Sequence, residues 1–191
     1  MKYVILGSGR GTNADALLTA QEQGRLGPAV CVGVFCDKPG AGILSVAARH
    51  GVPSYTPEAG AFRTKFTPEV EQAWADAIRA TGAQLVVLAG FMRVIKAPML
   101  ETFPGRIINL HPSLLPAFPG LDAIGQAWRA GVRYGGCTVH FVDATLDGGR
   151  IVDQAAVRRE DDDTPESFEE KVHAAEHALL PEVVRRLATL R

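Results

Sequence analysis

The sequence predicts an α/β fold, a doubly wound and mostly parallel mixed sheet with helices on both faces, and three observations predict it. Short apolar runs rich in β-branched residues alternate with longer segments of helical period. The first run passes straight into a glycine-rich turn, LGSGRGTN. Two late runs are joined through LDGGR, which is too short for a crossover helix, so those strands should be antiparallel. A parallel sheet of this kind is covered on both faces. The 191 residues fit a single domain, residues 1–191, with enough chain to bury one core.

The first strand is Tyr3 to Leu6, followed by a helix over 12–24. A second strand at Val30 to Phe35 leads to a helix over 41–50. The next helix, over 68–81, is opened by Thr67 as N-cap and by Pro68 at its first position, where a missing N–H is no loss. Leu85 to Ala89 is an apolar, buried strand, residues 106–111 add another, and residues 122–131 form a short helix. Cys137 to Val142 and Ile151 to Val157 are the two late strands. The final helix starts near Thr164-Pro165 and carries Phe168, Val172, Ala175, Leu179 and Val183 at helical spacing, a stripe that must pack on the sheet. No repeat, linker or low-complexity tract interrupts this order.

Hydrophobic content of 47%, charged content of 21% and a net charge of -1 describe an ordinary globular protein. Without a Lys/Arg block there is no basic field to attract nucleic acid. The apolar runs are too short to span a bilayer and no signal segment precedes KYVILG, so a membrane partner is excluded and the expected location is cytoplasmic. The three cysteines, Cys31, Cys36 and Cys137, match neither zinc nor redox spacing. They read as small buried residues of a reducing compartment, with no metal site. Nothing in the pattern specifies an oligomer.

Three motifs carry chemistry. In LGSGRGTN, Gly7, Gly9 and Gly11 precede Thr12 and Asn13 at a helix start, so backbone N–H groups and a helix N-terminus converge on an anion, with phosphate the natural guest. A dinucleotide fingerprint would need glycine at position 12, and a P-loop would need lysine, which argues against an NAD-dependent oxidoreductase. In INLHPSLLPAFPG, Asn109 and His111 lie two apart and point to one side, with Pro112 biasing His111 toward an extended backbone. Buried polar side chains need partners. At a strand's carboxyl end, where open α/β sheets bind ligands, an amide beside an imidazole suits oxyanion stabilisation and proton transfer. In TLDGG, Asp147 sits on a glycine turn, from which its carboxylate could fix the tautomer of His111 and favour its charged form. Taken alone, Asp147 reads equally well as a simple turn residue.

Other features weigh less. Ser113 lacks the G-x-S-x-G elbow of a nucleophile. The acids from Glu160 to Asp163 precede a helix start and read as a solvated loop rather than a metal cluster. His50, His140 and His177 read as structural or surface residues, with His140 close enough in sequence to the motifs to stay open.

Together, N-x-H-P-S-L-L-P, the later L-D-G-G and the early G-R-G-T-N resemble the folate-dependent formyltransferase family, and the similarity runs from KYVILGSGRGTN through LAGFMRVI to AAEHALLP. The resemblance implies the formyltransferase fold, Rossmann-like in its N-terminal half. It implies transfer of the formyl group of 10-formyltetrahydrofolate, a cosubstrate, to the amine of glycinamide ribonucleotide, without a metal. Asn109, His111 and Asp147 correspond to the family's catalytic residues. Gly11, Thr12 and Asn13 correspond to its substrate phosphate loop, and Glu176 to a contact with the same substrate. The folate is placed against Met92, Arg93, Val94, Ile95 and Asn109 and the loop Asp143, Ala144, Thr145, Leu146 and Asp147, with Lys65 a further contact. Arg10 and His173 receive no role from the resemblance. Relatives that hydrolyse formyltetrahydrofolate carry an additional N-terminal domain, and those that formylate methionyl-tRNA a C-terminal one. The length of this chain leaves room for neither, which favours a transferase acting on small molecules over a deformylase. A non-catalytic nucleotide-binding module is the remaining alternative.

Overall fold

Alternation along the first strand, β1 (Lys2–Leu6), decides how the sheet is covered, because Tyr3 and Ile5 enter one apolar core and Val4 and Leu6 the other. The computed structural model describes residues 1–190. In it β1 is flanked by β2 (Val30–Phe35) and β4 (Leu85–Ala89), with β3 (Ser54–Tyr55) outside β2. Next to β4 come β5 (Ile107–His111), β6 (Tyr134–Phe141) and β7 (Ile151–Arg158), so the seven-stranded order is β3-β2-β1-β4-β5-β6-β7. The strands through β5 pair in parallel, and β6 and β7 are antiparallel additions. The doubly wound mixed sheet predicted from the sequence is the one observed.

Helices α1 (Thr12–Glu22), α2 (Gly42–Arg49) and α6 (Pro165–Thr189) cover the Tyr3 face, while α3 (Pro68–Ala80) and α4 (Ala97–Thr102) cover the other. The remaining helix, α5 (Ala123–Arg129), packs through Ala127 and Trp128 on Phe168 of α6. Thr67 caps α3 as expected, accepting from the Val70 N–H at 3.4 Å. Thr164 and Ser167 cap α6 reciprocally at 3.2 and 3.0 Å. Among the described residues no helix is long and apolar enough to cross a membrane.

Four local readings change. The edge strand β3 was missed because both its residues are exposed, and it is placed by Tyr55 stacking on Phe35 with ring centroids 4.7 Å apart. The short α4, opened by Pro98, has too few turns to show a period. Strand β6 begins at Tyr134 rather than Cys137, because Gly135 and Gly136 belong to it: a Cβ on Gly135 would stand 2.5 Å from the Phe168 ring. The core face of α6 runs through Phe168, Val172, Glu176, Leu180 and Val183, with Ala175 and Leu179 only flanking it. That displacement puts a carboxylate on the buried face. The loop before α6 is exposed at Glu160, Asp161 and Asp162, as expected, while Asp163 accepts from Lys171 at 2.8 Å and from the Glu160 N–H at 2.7 Å.

Candidate active site

Strand order reverses between β1 and β4, and a crevice opens beyond their carboxyl ends. Gly7 and Ser8 lead out of β1 with N–H bonds to Phe35 O at 3.1 Å and Gly90 O at 3.0 Å. The crevice is one cleft of about 1070 Å³, reaching from the glycine loop past the ends of β4 and β5 to the 143–147 turn.

Gly11 is the N-cap of α1, at φ 85°, and contributes no side chain, so the first N–H groups of the helix face the cleft without a side-chain cap. This is the geometry of an anion site. Gly11 serves packing too, since a Cβ there would stand 2.7 Å from Ile43 Cα of α2. Thr12 and Asn13 form the first turn and both line the cleft. Although 163 residues apart, Asn13 and Glu176 meet, the Asn13 amide donating to Glu176 Oε2 at 3.1 Å. Glu176 is 3% exposed.

Asn109 and His111 project from β5 as the two-residue spacing requires, and β6 brings His140 directly opposite Asn109. The Asn109 amide donates to His140 Nε2 at 3.1 Å, while His140 Nδ1 donates to Phe141 O at 2.9 Å. Burial pushes the His140 imidazole below its usual range, in keeping with this neutral, doubly engaged form. His111 donates from Nε2 to Phe118 O at 2.9 Å and turns Nδ1 toward Asp147, 3.6 Å away. The expectation that Asp147 fixes the tautomer of His111 is therefore corrected, because the Phe118 carbonyl does so and leaves Nδ1 as the nitrogen facing the carboxylate. Asp147 Oδ2 accepts from the Gly120 N–H at 2.8 Å, and Oδ1 lies 3.7 Å from His140. Among the described residues, the non-glycine positions with left-handed backbone are Phe118, Asp122 and Asp147, all in the loops around this cluster. Ser113 is no nucleophile, its hydroxyl donating to Ala117 O at 2.6 Å.

The residues implied for the folate divide. Met92 and Val94 are 47% and 44% exposed on the cleft wall, and Leu146 of the 143–147 turn, 65% exposed, lines the same cleft. Ile95 is buried behind them. Arg93 lines the cleft, but its guanidinium is engaged elsewhere: Nε pairs with Asp37 at 2.8 Å, with side chains only 6% and 1% exposed, and Nη1 donates to the carbonyls of Ala59, Phe62 and Lys65. Its guanidinium is thus used in fixing the 59–65 segment. Lys65 is not on the cleft wall; its backbone bridges to Val94 and its ammonium lies 4.5 Å over the Phe62 ring. Asp143 bonds Thr145 through both its N–H and its hydroxyl and shapes the turn, where Ala144 and Thr145 are exposed on the cleft. His140 and the Phe118 carbonyl are the groups that the sequence did not assign. His140 is identified by the antiparallel register opposite Asn109, which only the folded structure supplies, and a backbone carbonyl leaves no sequence signal.

The Formyl transferase family model matches residues 1–184. A phosphoribosylglycinamide formyltransferase of Bacillus subtilis is 40% identical over 189 residues, 99% of this chain and 95% of that protein. The trifunctional purine biosynthetic protein adenosine-3 of Drosophila melanogaster is 39% identical across 97% of this chain, which spans 14% of its length. The crystal structure of glycinamide ribonucleotide transformylase 1 from Symbiobacterium toebii superposes with a TM-score of 0.93 at 42% identity, covering 100% of this chain and 89% of that one.

Proposed function

The chain belongs to the formyl transferase family, and on that premise we propose that it moves the formyl group of 10-formyltetrahydrofolate to the amine of glycinamide ribonucleotide, a step of purine biosynthesis. The carrying observation is that one cleft joins the uncapped N-terminus of α1 to the Asn109, His111, His140 and Asp147 cluster. A phosphate held at the first end puts the rest of a nucleotide within reach of the second. The apolar wall of Met92, Val94 and Leu146 suits the flat ring system of a folate. The three free, buried cysteines suit a reducing cytoplasm.

The acceptor nitrogen attacks the formyl carbon, giving a tetrahedral centre whose oxygen carries the negative charge. Asn109 has one amide hydrogen committed to His140 and a second to give to that oxygen. Protonated His111 offers its Nδ1–H, since Nε2 is committed to Phe118. Asp147, with Oδ2 held by Gly120, stabilises the imidazolium across 3.6 Å and takes the proton that the attacking amine must lose, through Oδ1 or a bridging water. The centre collapses with expulsion of the folate nitrogen, which takes up the proton that Asp147 received, directly or through water, so that the carboxylate is regenerated.

Incubating the protein with 10-formyltetrahydrofolate, with and without glycinamide ribonucleotide, tests this. Tetrahydrofolate release that requires the amine supports transfer. Equal release without it assigns a hydrolase instead, and no release in either case leaves a non-catalytic binding module.

A further inference from the structure

Glu176 of α6 is only half satisfied. Oε2 accepts from Asn13 at 3.1 Å and from His173 Nδ1 at 2.8 Å. Oε1 has no hydrogen-bond partner among the described residues and is not sealed from the cleft that Glu176 lines. One oxygen is thus used to hold the carboxylate, and the other is left without a partner among the described residues. The grip on Oε2 comes partly from a residue to which the sequence assigned nothing.

His173 lies one turn before Glu176, with its other nitrogen 3.3 Å from Glu169 Oε1. An imidazole facing a carboxylate through each nitrogen donates to both only when protonated. The Glu176 hydrogen bond, with Glu169 adding to it, raises its pKa above the usual histidine value. The charged and titratable groups near it are Glu169, Glu176 and His177 on α6, Asp15 on α1 and Cys137 on β6, and the same cleft is lined by Arg10 of the glycine loop and by Asp122 and Arg129 at the two ends of α5, which pair with each other at 2.8 Å. Asp15 is already paired with Arg49 and His50, and burial pushes the His177 imidazole down and the Cys137 thiol up, in both cases against the charged form. Arg10, His173, Glu169 and Glu176 remain, all lining the cleft. With His173 protonated these four charges cancel. Without its proton they leave one net negative charge where a phosphate must enter.

We propose that His173 is a positioning residue for the nucleotide substrate: protonated, it holds Glu176 with Oε1 toward the cleft and cancels the carboxylate charge that would repel a phosphate. The proposal rests on the glycinamide ribonucleotide reading of the site. Affinity for that substrate then falls as pH rises through the raised pKa of His173, whereas affinity for the folate, bound at the other end, does not.

The test compares the parent with His173→Asn, which keeps a donor near the Nδ1 position without the charge, and His173→Leu, which keeps neither. KM for each substrate and kcat are measured from about pH 6 to about pH 9, across the ordinary histidine value, and thermal melts confirm folding. In the parent, KM for glycinamide ribonucleotide should rise about tenfold over this range, within the span of coupled sites. In His173→Leu it should be high and flat, in His173→Asn intermediate and flat, with KM for the folate unchanged in both. By linkage, glycinamide ribonucleotide should raise the pKa of His173 in an NMR titration. A variant that keeps the parent's pH dependence, equal changes in both KM values, or a His173 pKa indifferent to the nucleotide overturns the proposal. A parent that shows no acceptor-dependent release at any pH overturns the site reading and the proposal together, a result distinct from all of these.

Discussion

At the carboxyl ends of β1 and β4, the cleft is met mainly by backbone: the uncapped N–H groups of α1 and a glycine loop pressed against α2. Arg93, which lines the same part of the cleft, turns its guanidinium inward to hold Asp37 and three carbonyls of the 59–65 segment. At β5 and β6 the cleft is met by side chains, and each is oriented by another: Asn109 by His140, His111 by Phe118, Asp147 by Gly120. The parallel half is therefore built to bind and the antiparallel end to react. Substitutions in the first should change stability or KM, and substitutions in the second should change kcat.

The largest effect expected is structural and tests the parallel half. Arg93→Met strands the Asp37 carboxylate, 1% exposed, without its partner. Breaking a buried pair in this way costs about 3–5 kcal/mol. At roughly 2–4 °C per kcal/mol for a domain of this size, Tm should drop on the order of 10 °C. Lys65→Met, at the surface, should shift it by no more than about 1–2 °C, the scale of a surface substitution. Similar melting curves for the two variants would return the Arg93 guanidinium to the candidate folate contacts.

Asp147→Asn tests the antiparallel end. Asparagine tolerates the left-handed backbone at φ 50° and can still accept from Gly120, so the turn should persist. The charge facing His111 is lost, and with it the proton acceptor. A fall in kcat of at least about 10²-fold is expected, the scale of general acid-base catalysis, with KM for glycinamide ribonucleotide nearly constant. Steady-state kinetics decide it. A folded variant within about threefold of the parent kcat, well under one decade, removes Asp147 from the chemistry.

Glycines in one loop should respond differently, because only one of them is packed. Gly11→Ala meets Ile43 Cα at 2.7 Å and must hold φ 85°, so it should cost about 1–3 kcal/mol in a melt as well as binding. A Cβ at Gly9 has nothing within 4 Å. Gly9→Ala should therefore fold like the parent and raise KM for glycinamide ribonucleotide a few-fold by crowding the approach of a phosphate, leaving KM for the folate unmoved. Parallel changes in both constants would mean that the loop does not bind the nucleotide end. Gly11 substitutions alone could not show this, since packing and binding fail together there.

The two regions also differed in how far the sequence disclosed them. Asn109 and His111 were legible because a polar pair inside an apolar strand has no packing explanation, and Pro112 marked where the strand stops. Thr67-Pro68 and Thr164-Pro165 announced their helices through capping chemistry, which is local. Arg93 was assigned to the folate through the family resemblance, which carries a position and not the direction of a side chain. Its position beside the cleft was right, but Met92 and Val94 are exposed while Arg93 and Ile95 are buried, an alternation that the residue types Met, Arg, Val and Ile do not show and that only the structure reveals. His140 needed the register between β5 and β6, and β3 needed Phe35 to stack on, so neither could be read without the tertiary structure.

The smallest expected effect concerns the clamp beneath the binding loop. His50, just past the end of α2, bridges α1 through Nδ1 to Glu22 at 2.7 Å and through Nε2 to Asp15 at 2.9 Å, while Arg49 also reaches Asp15 at 2.8 Å. The Asp15 hydrogen bond raises the pKa of His50 above its usual value. A group whose pKa is raised on folding adds stability that is fully present below its unfolded value, about 6.5 for histidine, and lost as pH climbs through the folded value. The parent's Tm should therefore decline as pH rises above that point. His50→Gln, which can serve only one carboxylate at a time as a neutral donor, should flatten part of the decline, with His173 accounting for another part in the same direction. Because the carboxylates are largely exposed, the loss should be only about 1–3 °C, the range of a screened surface pair. Since α1 carries the binding loop and none of the β5–β6 cluster, kcat should be indifferent to the substitution. A pH-independent Tm in the parent, or a kcat that follows His50, would mean that the clamp does not act on the binding half alone.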